Sequence, residues 1–262
     1  MKICSLPGGT ICGYRAAMTD MLIRPEWPAP DNVKACITTR LGGISLPPYD
    51  SLNLGGHVGD KPAHVCANRQ RLITAAALPA EPLWLQQTHS TIVINSQQWQ
   101  TGIEADAILS HMPDHICAVL TADCLPVLLC DKSGRQVAAI HAGWRGLCDG
   151  IIEQTVAQLS AAPEAVLAWL GPAIGPEQFE VGAEVRDAFI AHSAGAAAAF
   201  QAGKPGHYLA DIYQLARQRL NQCGIPQIYG GDFCTVSQTA HFFSYRRDGI
   251  TGRMASLIWL TS

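Results

Sequence analysis

From Asp114 to Ala142 the chain is dominated by "DHICAVLTADCLPVLLCD" and "RQVAAIHA", two stretches that are apolar almost throughout and are separated by a short polar turn. Short apolar runs bounded by turn residues fit buried strands better than helices, which need longer periodic segments. The first stretch reads as two strands and the second as one. Asp123 and Cys124 interrupt the first, and the second runs into His141, Gly143, Trp144, Arg145 and Gly146. Reactive groups at the ends of apolar strands are groups that a rigid backbone can hold at the mouth of a cleft.

The rest of the chain alternates strand-like runs with a few helices. "KACITTR" reads as a strand, residues 63–78 have helical spacing, and residues 83–94 read as a strand pair or a bent strand. Residues 149–162 form the clearest amphipathic helix. "VLAWLGPAIGPEQFEVG" is a strand running into a Gly-Pro loop, and "DIYQLARQRLNQCG" is a helix closed by Gly224. "AHFFSYRRDGITGRMASLIWL" reads as a hairpin turning at Asp248-Gly249. Strands outnumber helices without strict alternation, so the expected class is α+β with mixed sheets.

A length of 262 residues, 48% hydrophobic and 15% charged, suits one folded domain, expected over 21–262. Residues 1–20 show neither period and are expected to be an extension outside it. A formal charge of -3 gives no footprint for nucleic acid or an anionic membrane, so a small-molecule partner is expected. The N-terminus lacks the apolar core of a signal peptide and no window is long enough for a membrane span, which predicts a cytoplasmic protein with reduced thiols.

His89, Cys124 and His141 are two imidazoles and a thiol, a donor set that suits a zinc site with one exchangeable position. Taken singly, Cys124 fits equally a small buried hydrophobe, and the histidines fit hydrogen-bonded residues at strand ends. In "HAGWRGLCDGIIEQ" a strand breaks at glycines and enters a helix, which suits either an anion site beside Arg145 or a tight turn. "SYRRDGITGR" places Arg246, Arg247 and Arg253 together, as cations for a ligand or as an exposed charged turn.

The ordered series "TTRLGGIS", "YDSLNLGGHVGD", "QQTHS", "TADCLPVLL", "HAGWRGL", "GPAIGPEQFEVG", "CT" and "FFSYRRDGITGR" resembles the YfiH family, also called the laccase-like or multicopper polyphenol oxidase family. The resemblance runs from about Met21 to the end. It implies a layered α+β fold in which a mixed β-sheet core is flanked by helices. It also implies one metal, usually zinc, bound by His89, Cys124 and His141. The implied activities are phosphorolysis of adenosine, inosine, guanosine and methylthioadenosine, together with adenosine deamination.

On that reading Asp123 is expected to carry a proton or to orient the metal site, with Cys124 and His141 the other catalytic residues. Arg40, Arg145, Arg246 and Arg247 are the cations available for phosphate, and Asn53 and Gln87 are polar contacts carried over from the motifs. The family has also been linked to copper-dependent phenol oxidation. A coupled copper cluster uses many His-x-His pairs, whereas this chain has nine histidines and no such pair. Copper at a single His2Cys site is consistent with its affinity for such ligands. Two other classes fit the residues: a cysteine amidase acting on peptidoglycan precursors, with Cys124 as nucleophile and His141 or His89 as base, and a non-enzymatic binding module.

Overall fold

The structure, a computed structural model, describes residues 17–18 and 21–262. The expected extension over residues 1–20 therefore lies outside the described residues, apart from Ala17–Met18. In chain order the strands are β1 (Ala17–Met18), β2 (Leu22–Arg24), β3 (Val33–Thr38), β4 (Val93–Asn95), β5 (Ala107–Ser110), β6 (Cys117–Thr121) and β7 (Leu125–Asp131). They continue with β8 (Val137–Ala142), β9 (Val166–Leu170), β10 (Glu180–Gly182), β11 (Phe200–Ala202), β12 (His207–Ala210), β13 (Gln227–Gly230) and β14 (Met254–Leu260). The α-helices are α1 (Pro62–Ala76), α2 (Trp144–Asp149), α3 (Ile151–Val156), α4 (Ala183–His192), α5 (Ile212–Gln222) and α6 (Tyr245–Asp248).

Two large sheets carry the core. One has five strands in the order β1-β2-β3-β14-β6, and the other has six in the order β13-β9-β7-β8-β5-β4. The first is antiparallel throughout. In the second, β13 with β9 and β4 with β5 are parallel pairs while the rest are antiparallel. A small antiparallel sheet, β10-β12-β11, stands apart. This is the expected α+β class with a mixed core.

The continuous apolar runs have a simple cause, because both faces of each large sheet are covered. Successive side chains on a strand point to opposite faces. On β7, Leu125, Val127 and Leu129 enter the core shared with helices α2 to α5, whereas Leu128 and Cys130 enter the core between the sheets. On β14, Met254, Ile258 and Leu260 face that same inter-sheet core, whereas Ala255, Leu257 and Trp259 pack toward α1. The layers therefore run α1, five-stranded sheet, six-stranded sheet, helices α2 to α5.

Three segments differ from the sequence expectation. Within 83–94 only β4 forms a strand, with isolated bridges at Leu83 and Gln86, because Asp106 draws the amides of residues 88–90 out of any ladder. The helix expected over 149–162 is interrupted at Gly150, whose φ of 99° lies in the left-handed region and closes α2 before α3 begins. The expected C-terminal hairpin is instead the single turn α6, capped by the Ser244 side chain accepting from Arg247 N, followed by β14 paired with β3 and β6. By contrast, α5 ends as expected, with Gly224 at φ 83°.

Leu128 is fully buried between the sheets. Leu128→Ala is expected to lower unfolding free energy by about 2–5 kcal/mol in a urea titration. A loss of less than about 1 kcal/mol would mean that this inter-sheet contact is not a packed core.

Candidate metal centre

Three separate segments deliver the expected ligands to one place. Cys124 closes the turn between β6 and β7, His141 lies on β8, and His89 sits in the loop before β4. The β7–β8 register sets His141 opposite Pro126, so the end of β8 lies alongside the turn bearing Cys124. The ligand atoms of His89, Cys124 and His141 all lie within 4.8 Å of one another. Cys124 Sγ is 3.9 Å from His89 Nε2, and the two imidazole rings meet edge to face at 72°.

The residue that fixes this arrangement is Asp106, fully buried just before β5. Its Oδ1 is 2.7 Å from His141 Nδ1 and also accepts from His89 N at 3.1 Å. Its Oδ2 accepts from Thr88 N, Ser90 N and Ser90 Oγ. One carboxylate thus aims the His141 ring and shapes the loop that carries His89, which holds the left-handed backbone angle φ 62°. With Nδ1–H donated to Asp106, His141 Nε2 keeps its lone pair for a metal. The sequence signal for Asp106 was a charge at the edge of the apolar strand "ADAILS".

The turn at Cys124 is held just as firmly. Asp123 adopts φ 89°, and its carboxylate accepts from Thr235 Oγ1 at 2.5 Å, Ser244 Oγ at 3.1 Å and Arg246 N at 2.6 Å. Ile174 N donates to its carbonyl. Gly143 leaves room for the ligands, since a Cβ there would stand 2.9 Å from His89 Cδ2 and 3.2 Å from Cys124 Sγ.

The charges favour a deprotonated thiol. Burial works to raise the Cys124 thiol, but the charge and hydrogen bond of His141, with smaller help from His89, hold it at about 6. Burial works to lower His141, yet Cys124 and Asp106 raise it to about 9. Burial likewise opposes ionisation of Asp106, and its bonds from His141 and Ser90 outweigh it and hold the carboxyl at about 2.

The donor set fits zinc. With bond lengths of about 2.3 Å to sulfur and about 2.0–2.1 Å to nitrogen, tetrahedral S and N ligands stand about 3.6 Å apart, close to the 3.9 Å found here. Cys148, Asp149 and His192 form another close group, but Asp149 and His192 are exposed.

The other expected site residues are placed as follows. Arg40 donates to Asp50 O, Asp50 Oδ2 and Thr239 O, with its guanidinium 4.9 Å above Phe243. Asn53 is buried and bridges Gly55, Asp60 and Arg253 N. The Gln87 amide both donates to and accepts from the Leu120 backbone. Arg246 donates to the carbonyls of Gln178 and Glu180, and Arg247 to those of Thr235, Val236 and Phe242 and to Asp248. Arg145 is exposed and stacks 4.4 Å over Trp144.

Beside the ligand loop opens a cavity of about 750 Å³ whose lining includes His57, Trp84, Gln87, Thr88 and Trp99. A second cavity of about 680 Å³ opens at Tyr213, Arg217 and Cys234. No helix among the described residues is long and apolar enough to cross a membrane.

Asp106→Asn keeps the shape of the residue but removes the charge that fixes His141. It is expected to weaken zinc binding by about 10–100-fold, measured by competition with a chromogenic chelator. Unchanged affinity would show that the ligands do not depend on Asp106.

A family model described as "Multi-copper polyphenol oxidoreductase laccase" matches residues 34–261. The proteins named purine nucleoside phosphorylase YfiH from Shigella flexneri and Escherichia coli (strain K12) are each 59% identical over 241 residues, covering 91% of this chain and 98% of theirs. The crystal structure of Neisseria meningitidis protein NMB0706 is 50% identical with a TM-score of 0.89, covering 92% of this chain and 99% of that one. The chain belongs to the YfiH family, the family that carries the multicopper polyphenol oxidoreductase laccase description.

Proposed function

We propose that this protein is a zinc-dependent purine nucleoside phosphorylase, with adenosine deamination as a second activity of the same site. The observation that carries the reading is the gathering of His89, Cys124 and His141 within 4.8 Å around a carboxylate-oriented imidazole. The similarity to proteins named purine nucleoside phosphorylase supplies the substrate class. When bound, zinc supplies Lewis acidity at one exchangeable position, because three protein ligands leave a tetrahedral set incomplete.

In phosphorolysis an oxygen of hydrogen phosphate bonds to C1' of the ribose as the bond from C1' to the base nitrogen breaks. The electron pair leaves with the base, and the phosphate proton balances it, giving ribose 1-phosphate and free purine. Deamination consumes water and releases ammonia from C6. The protein's part is to bind, orient and exclude bulk water. The cavity of about 750 Å³ beside Thr88 is large enough for a nucleoside, with Trp84 and Trp99 in its lining and Arg69 stacked 4.3 Å over Trp84.

Asp123 acts as a positioning residue, since both its oxygens already accept hydrogen bonds that tie the Cys124 turn to Thr235, Ser244 and Arg246. Arg40, Asn53, Gln87, Arg246 and Arg247 are engaged with other protein groups, and of these Gln87 lines the cavity beside Thr88. Arg145 is the exposed cation at the margin of the site.

A second reading is favoured by one observation. Cys124, His141 and Asp106 stand in the order nucleophile, base and orienting acid, which is the arrangement of a cysteine hydrolase. Copper in place of zinc is the third, since a His2Cys donor set accepts it.

His89→Ala and His141→Ala are each expected to release the metal and to lower inosine and adenosine turnover by about 100-fold or more, with circular dichroism unchanged. Full turnover in either variant contradicts the zinc reading, and turnover by metal-free protein that still requires Cys124 supports the hydrolase. Trp84→Ala is expected to raise the inosine KM about tenfold in steady-state assays. An unchanged KM would place the base elsewhere.

A further inference from the structure

Arg40, Arg246 and Arg247 are already engaged with protein groups, Arg145 is exposed and stacked on Trp144, and Arg253 is a part-buried arginine with an open donor edge. Met254 pairs with Thr121, so Arg253 enters β14 beside the turn that carries Asp123 and Cys124. Its guanidinium donates only through Nη1, to Thr251 O and Gly252 O, both at 3.0 Å. The Nε and Nη2 groups, the pair that forms a fork toward an oxyanion, have no hydrogen-bond partner among the described residues. Nor does Arg253 form an ion pair there.

The side chain is nevertheless held in place. Arg253 N donates to the buried Asn53 at 2.9 Å, and a Cβ on Gly55 would stand 2.8 Å from Arg253 Cγ. The Tyr245 ring lies 5.9 Å from its guanidinium carbon. Tyr245 is itself 60% exposed, and Arg253 is half-buried beside it.

Arg253 and Arg69 act together on His57, while the Cys124 and Asp123 charges act on Arg253. Burial, Arg253 and Arg69 together push the His57 imidazole below its ordinary range. The nearby carboxylates are engaged elsewhere: Asp123 accepts from Thr235, Ser244 and Arg246 N, while Asp60 accepts from Ser45, Asn53 and Lys61 N. A part-buried guanidinium without a carboxylate partner is costly unless an anion completes it.

We propose that Arg253 binds the phosphate co-substrate, presenting its Nε and Nη2 donors to a tetrahedral oxyanion beside the metal ligands. This rests on the phosphorylase reading. In that reaction the anion must sit against C1' as its oxygen forms the new bond, and a fixed cation there opposes the loss of phosphate before the glycosidic bond breaks.

The test uses zinc-loaded full-length protein, with Arg253→Ala and Arg253→Lys beside wild type, and reads zinc content, the separate KM values for phosphate and inosine, and calorimetric binding of inorganic phosphate alone. Arg253→Ala is expected to raise the phosphate KM at least about tenfold while the inosine KM and zinc content hold, and Arg253→Lys should recover part of the loss. Phosphate binding by calorimetry should be present in wild type and lost in Arg253→Ala. Equal phosphate binding in both proteins, or KM values for phosphate and inosine that rise in step, would overturn the assignment. If wild type binds phosphate through Arg253 yet cleaves no nucleoside, the phosphorylase reading fails while the anion site stands.

Discussion

The hydrogen bonds converging on Asp106 are the constraint on which the site depends. A fully buried carboxylate must be satisfied from within the protein, and here the donors are His141 Nδ1, three consecutive amides of the 88–90 loop and the Ser90 hydroxyl. Leaving such a charge without its partners costs about 3–5 kcal/mol. The loop therefore takes the form that serves Asp106, and that form brings His89 to Cys124 and His141. The strand expected at residues 83–94 is lost to the same interaction. Local structure, packing and ligand geometry have one cause here.

The two sheets provide the rigidity behind it. Because β6, β7, β8 and β14 are covered on both faces, their ends cannot shift without opening a packed core. Cys124 and His141 project from those ends, and Asp123 ties the Cys124 turn to the segments around Thr235 and Ser244. A site assembled from residues so distant in sequence has no spacing motif. Its precision comes from strand register.

That division accounts for what was legible in the sequence. The buried strands were readable because a short, continuous apolar run bounded by turn residues is stable only when both of its faces are covered, and α5 was readable from its period and Gly224. The break at Gly150 was missed because a glycine inside an amphipathic pattern signals only a weakened helix until tertiary packing selects the left-handed angle. The C-terminal hairpin was misread because Asp248-Gly249 has turn chemistry, whereas Ser244 caps a helical turn and β14 finds better partners in β3 and β6. His89, Cys124 and His141 were readable as a His2Cys donor set at strand ends with alternatives open, and the resemblance chose among them, since nothing local joins the three. Asp106 is not among the residues expected from the sequence, where its signal is only a lone charge beside the apolar run "AILS". Arg253 stood in a quoted motif, but its open donor edge appears only once the partners of Arg40, Arg246 and Arg247 are known.

The most direct test of the account is metal-edge X-ray absorption on the purified protein, which reads the atoms bound to the metal without relying on activity. The account predicts one zinc with a single sulfur and two imidazole nitrogens, and loss of the sulfur in Cys124→Ser. A bound metal without sulfur, or with the same ligands after that substitution, would contradict it.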